Sequence, residues 1–209
     1  MSTSAVSSLR SASTTTGDNA LLLVLRLRTF IALFLVAGFF AVMAPNFLSA
    51  ANALIMSKHV ALNAFLAIGM TYVIVSGGID LSVGSTVGLT GMVAGGLILH
   101  GLTIGDYVIY FNVLEIVGIA LMVGLIVGAI NGFLITQLSV APFIATLGTL
   151  YVARGIALLS SDGSTFPNLE GSSEHGTTGF PLIGTLSLAG VPLVIWLLVV
   201  MGLGAAYLG

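Results

Sequence analysis

The stretch GMTYVIVSGGIDLSVGSTVGLTGMVAG, residues 69–95, sets the tightest limit on what this chain can fold into, because Gly77, Gly78 and the carboxylate of Asp80 interrupt an apolar run of membrane length. In hydrocarbon each unpaired backbone group costs several kcal/mol, so a glycine break near membrane depth persists only where protein buries it or where it lines a wet cavity. Of the 209 residues, 57% are hydrophobic and 6% charged, against about 25% charged in an average soluble domain. The expected fold is all-α: a polytopic transmembrane helical bundle of about six spans with a glycine-broken region at 76–82.

Residues 1–20 are rich in Ser, Thr and Ala and too polar to offset the entropy of ordering, so a disordered tail is expected there, with 21–209 as one transmembrane domain. Arg26 and Arg28 lead into an apolar run that continues to Met43, which reads as an uncleaved first span over about 27–44. Arg10, Arg26 and Arg28 are the only cluster of positive charge, and the positive-inside rule puts the amino terminus in the cytoplasm. A second span covers about 53–76, with Lys58 and His59 at its outer end. The third, 83–99, has Gly84 with Gly88 and Gly91 with Gly95 at four-residue spacing; the fourth, 113–135, has Gly124, Gly128 and Gly132. Such repeats are read as close-packing faces, since helices in lipid associate through small residues and polar contacts. Asn131 is read as a polar contact between helices. The link 136–141 ends at Pro142, suited to a first helical turn, with Ser139 available as a cap. The fifth span, about 142–159, carries Thr146, Gly148, Thr149 and Arg154. That arginine either snorkels to the outer boundary or faces protein or water. Segments 100–112 and 160–190 hold acids and no Lys or Arg and are placed outside. The run 191–208 then returns inward, leaving both ends cytoplasmic.

Several functions are excluded by what is missing. Five Lys and Arg in the whole chain cannot make a phosphate-binding surface, so nucleic acid is no partner. Without cysteine there is no disulfide, thiolate metal site or cysteine nucleophile. His59 lacks a second ligand at helical spacing, and no metal site is expected. No GxxxxGK[ST], HExxH or GxSxG motif occurs, so neither ATP hydrolysis nor other enzyme chemistry is expected of this chain. The break itself admits two compatible readings. Gly77 and Gly78 end one helix while Asp80 or Ser82 caps the next; or two half-helices meet beside a translocation path, with Asp80, Ser82 and freed backbone groups facing solute or a gate.

The motifs GMTYVIVSGGIDLSVGS (69–85), GLTGMVAGG (88–96), NGFLIT (131–136) and VAPFIATLGTLYVARG (140–155) resemble, in order and spacing, the membrane permease subunit of ribose-type monosaccharide ABC importers. That resemblance implies a bacterial inner-membrane protein working with a second permease subunit in a homo- or heterodimer, a cytoplasmic ABC ATPase and an extracytoplasmic sugar-binding protein. Membrane lipid is the surrounding medium. The chain would carry no cofactor, with ATP bound by the partner. It further implies that the family's marked positions fall on Gly77, Gly78, Asp80, Ser82, Asn131, Thr146 and Arg154, as candidates for the translocation path or its gate. Family members continue into a basic stretch and a cytoplasmic segment that docks on the ATPase. Residues 1–209 stop before it, so the expectation is a C-terminally truncated, partial permease domain that cannot alone support coupled transport. An ion-coupled secondary transporter or channel is the alternative, since a broken helix with a carboxylate also suits ion coupling.

Overall fold

The computed structural model describes residues 16–208 apart from 167, and the side chains from 27 to 207. Two compact units divide the chain, residues 1–53 and 54–209. In the first, α1 (Thr16–Met43) leads through a turn in which Asn46 takes φ 65° to the start of α2 (Ala50–Val75). Residues 1–15 of the expected tail lie outside the described residues. Thr16–Ala20, assigned to that tail, are helical. The apolar run that follows supplies the nucleus, and extending a formed helix is far cheaper than starting one.

The second unit is built on three helices, α3 (Val83–Leu99), α4 (Val113–Thr136) and α5 (Pro142–Leu159). Leu89 packs with Val127, Ala153 and Ala157, while Ala94, Leu97 and Ile98 pack with Ile116. Early α3 therefore meets late α4, and late α3 meets early α4. α3 and α5 run parallel, with α4 antiparallel to both. α4 starts cleanly because Asn112 Oδ1 accepts from the Glu115 N–H (3.0 Å) and Glu115 Oε2 from the Asn112 N–H (2.9 Å), a reciprocal capping box. α5 starts with Pro142 in its first turn, as the sequence suggests. Its N-cap is Ala141, and Ser139 makes no cap: it is spent in the connecting turn at φ 54°.

Two segments expected to be plain loop hold short hairpins. β1 (Leu102–Ile104) pairs antiparallel with β2 (Tyr107–Ile109) across Gly105-Asp106, where Gly105 takes φ 62°. β3 (Ser187–Leu188) pairs with β4 (Val191–Pro192) across Ala189-Gly190, both at positive φ. Two-residue turns of this kind match the twist of paired strands. The last apolar run thus begins as a strand, and its helix α7 spans Leu193–Leu208 after a short α6 (Phe180–Thr185). α2 reaches α7 through Tyr72 Oη, which donates to the Ala205 carbonyl (2.8 Å), and reaches the end of α6 through Lys58 Nζ, which donates to that of Gly184 (2.9 Å).

All six expected spans fall on helices. Ala50–Val75, Val113–Thr136 and Pro142–Leu159 are long and apolar enough to cross a membrane, and Leu27–Met43, Val83–Leu99 and Leu193–Tyr207 are shorter apolar helices. Large apolar side chains cover the outside: Leu114 is 80% exposed and Leu121 71%. In water such a surface is untenable, but in lipid it is the solvated one.

Candidate functional site

The break at 76–82 joins a helix of membrane length to a shorter apolar one: α2 has 26 residues and α3 has 17, about 39 and 26 Å at 1.5 Å per residue. α2 closes in a Schellman turn. The Gly77 N–H donates to the Ile74 carbonyl and the Gly78 N–H to that of Val73, both at 2.9 Å, with Gly77 at φ 81°. Only glycine takes that backbone without strain. Gly78 sits where an added Cβ would lie 3.3 Å from Val73 and 3.7 Å from Pro142, so the turn rests closely on the start of α5.

From this turn a hydrogen-bond chain runs into the bundle. Asp80 Oδ1 accepts from the Ser82 N–H (2.7 Å) and from Ser82 Oγ (2.6 Å). Ser82 Oγ accepts from Asn131 Nδ2 on α4 (2.9 Å), and Asn131 Oδ1 accepts from Thr149 Oγ1 on α5 (2.6 Å). The orientation of the Asn131 amide follows from the chain itself. The Ser82 proton is committed to the carboxylate, so only an N–H can approach the hydroxyl from α4. Beside it, Thr146 Oγ1 donates to the Pro142 carbonyl (2.8 Å) and lies 3.2 Å from that of Ile79. Ser82, Asn131 and Thr146 are 1%, 5% and 2% exposed. Among the described residues no buried side-chain nitrogen or oxygen lacks a partner. Low dielectric makes such a network strong when complete and costly when broken.

Neither expected cap forms. Ser82 is the N-cap residue of α3, yet its side chain accepts from no first-turn amide. Asp80 binds only the N-cap residue itself, because Ser82 is turned toward the carboxylate and Asn131.

Next to the network lies a cavity of about 320 Å³ lined by Gly78, Asp80 and Thr146 and by Gly128, Asn131 and Gly132 of α4. Most of the glycines read as packing positions lie on the outer surface of this chain. Gly84, Gly88, Gly91, Gly128 and Gly132 have no atom within 4 Å of a built Cβ. Gly124 meets only Thr90 of α3, at 3.7 Å, and Gly95 is covered by the Phe166 ring. Of the sequence-selected residues, Gly77, Gly78, Asp80, Ser82, Asn131 and Thr146 gather in one place. Arg154 does not. It lines a separate cavity of about 440 Å³ with Gly84, Ser85 and Gly88. Thr149 joins the network though sequence reading had not selected it; its one signal was a hydroxyl three residues after Thr146, on the same side of α5. Among the described residues no group of three His, Cys, Asp or Glu is placed to hold a metal ion.

Apolar helices of membrane length around a hydrogen-bonded polar break make this an α-helical membrane protein. The chain belongs to the family of permease components of the branched-chain amino acid transport system, whose family model matches residues 50–208, from the start of α2 to the end of α7. The ribose import permease protein RbsC of Haemophilus influenzae is 36% identical over 181 residues, 87% of this chain and 52% of that protein. RbsC of Bacillus subtilis is 36% identical over 168 residues, 80% of this chain and 48% of that protein. The xylose transport system permease protein XylH of Escherichia coli is 36% identical over 149 residues, 68% and 36% respectively. The chain thus spans about half the length of the curated ribose permeases it matches. No solved structure matches it. Its relatives are transport permeases and not enzymes.

Proposed function

We propose that the chain forms part of the translocation pathway of an ABC importer for a monosaccharide or related small solute in the bacterial inner membrane. In this reading it is a multi-pass subunit with a cytoplasmic amino terminus. Residues 1–20 are a cytoplasmic tail and 21–209 part of the permease domain. Its partners are a second permease subunit, a cytoplasmic ATPase that holds the ATP, and an extracytoplasmic sugar-binding protein; no cofactor resides on this chain.

One observation carries the reading: similarity to a ribose import permease extends over 87% of the chain. The geometry suits the task. Asp80, Asn131 and Thr146 offer acceptors and donors around a cavity of about 320 Å³, within the roughly 300–1,000 Å³ of small-molecule sites. Because Asp80, Ser82, Asn131 and Thr149 tie the break, α4 and α5 together, the three move as one body while the bonds hold. Exchanging these partners for others, or for solute hydroxyls, is how such a site changes access without leaving a polar group bare.

The test is uptake of labelled ribose or xylose by membrane vesicles that hold the chain in its assembled transporter. ATP supports uptake and a proton gradient alone does not. Uptake that follows the proton gradient with ATP absent would establish the ion-coupled alternative, for which the Asp80 carboxylate is the natural coupling group.

A further inference from the structure

We infer that the β1–β2 hairpin is an interfacial anchor: the face formed by Leu102, Ile104, Tyr107 and Ile109 lies against the lipid surface at the level where α3 and α4 leave the bilayer. The register puts these four on one side. Leu102 pairs with Ile109 and Ile104 with Tyr107, and residues two apart along a strand share a face. Thr103 and Val108 take the other. All four are large, apolar and exposed, Ile104 by 57% and Tyr107 by 78%. A contiguous apolar face of this kind marks a surface that another medium or molecule covers.

The opposite face is held by protein. A Cβ on Gly101 would lie 2.9 Å from Val108 and 3.1 Å from Tyr110, so the ribbon folds back closely on the end of α3. The Tyr110 ring stacks on that of His175, with 3.8 Å between centroids, and His175 belongs to the segment between α5 and α6. Along β2 and the residue after it, Val108 and Tyr110 alternate with Tyr107 and Ile109. The alternation that turns the first pair toward protein turns the second pair away from it.

The two flanking helices say what lies on that side. Leu99, the last residue of α3, and Leu114, the second of α4, are exposed as well, so the hairpin is joined at both ends to surface that lipid covers. α3 is also short for a crossing, about 26 Å at 1.5 Å per residue against roughly 30 Å of hydrocarbon. With α3 starting at one boundary of the core, Leu99 falls short of the other and the hairpin completes the crossing. Depth is limited from the opposite direction. The outer edges of a two-stranded ribbon carry unpaired N–H and C=O groups that hydrocarbon does not tolerate, and the Asp106 carboxylate at the turn needs water. The hairpin therefore rests between headgroups and acyl chains, where a tyrosine keeps its ring in apolar surroundings and its hydroxyl wet. Residues 100–112 contain no Lys or Arg, so the attachment is apolar and calls for no anionic lipid. A partner protein is the competing occupant; the short α3 and the lipid-covered surface at both ends favour lipid. In the proposed topology this is the outer leaflet, and the inference depends on no particular solute.

Trp196 is the sole tryptophan, so Trp196→Phe gives a dark background for three separate reporters: Ile104→Trp and Tyr107→Trp on the apolar face, and Thr103→Trp on the other. The full chain is placed in phosphatidylcholine vesicles. A nitroxide near the head of the acyl chain quenches the Ile104→Trp and Tyr107→Trp reporters severalfold more than the Thr103→Trp reporter, a nitroxide near the chain end quenches neither, and aqueous iodide reaches Thr103→Trp best. Added anionic lipid or salt leaves this order unchanged. With Trp196 intact, spin-labelled Ile104→Cys and Thr103→Cys give the same order by accessibility to oxygen against a water-soluble nickel chelate. Equal iodide quenching of all three reporters, with no advantage for the lipid nitroxide at 104 and 107, overturns the anchor. Shielding of 104 and 107 that develops only when an extracytoplasmic binding protein is added overturns it too, and gives the face to that partner.

Discussion

Single hydroxyls and a single amide carry more of this site than the carboxylate that first draws the eye. Asn131 is 5% exposed, and among the described residues only Thr149 donates to its Oδ1. Thr149→Val therefore strands a buried carbonyl oxygen and is expected to lower stability in detergent by about 1–3 kcal/mol. Thr71 is the control. Thr149 Oγ1 lies 3.0 Å from the Ala145 carbonyl four residues back; the Thr71 hydroxyl donates to its own such carbonyl, that of Ala67, at 2.8 Å, but it is exposed and serves no other group among the described residues, so Thr71→Val is expected to cost under about 0.5 kcal/mol. Equal losses in a thermal unfolding series would show that the network adds nothing beyond a helical hydroxyl. Gly77 makes a second residue-scale case. At φ 81° with open space around it, Gly77→Ala meets no clash and pays only for its backbone, about 1–2 kcal/mol. Transport should survive that loss if the turn still closes, which the same uptake assay reads.

At the scale of elements, the end of α3 is held by the segment that follows α5. Phe166 lies over Gly95, where a Cβ would come within 2.5 Å of its ring, and Leu169 and Phe180 pack against the Ala94–Ile98 cluster. Gly95→Val is expected to leave α3 helical and to expel the Phe166 ring, raising protease cleavage within 160–180 severalfold; an unchanged digestion pattern would show that the segment is held elsewhere. At the opposite end of the bundle, the break is a Schellman turn plus an Asp80–Ser82 turn.

For the whole molecule, the exposed apolar surface demands lipid, and orientation becomes the open variable. Freedom from cysteine makes it directly measurable. With the amino terminus cytoplasmic, Ser173→Cys between α5 and α6 is expected to react with an impermeant maleimide in intact cells, and Gln137→Cys between α4 and α5 only after permeabilisation. The reverse pattern would invert the proposed topology.

The sequence by itself determined the helices, because membrane-length apolar runs leave the backbone no choice but internal hydrogen bonding. α3 and α5 begin and end at the expected residues, and Gly77, Asp80 and Asn131 stand out as polar or glycine interruptions in those runs. Tertiary structure decided the rest. Only packing α3 parallel to α5 and against α4 brings Ser82, Asn131 and Thr149 together from 49 and 18 residues apart. Only that packing separates Arg154 from Asp80, and only it leaves Gly84, Gly88, Gly128 and Gly132 on the outer surface. A glycine spacing in sequence says that a side chain is absent; what approaches the gap is fixed by residues far along the chain, and no local pattern records them.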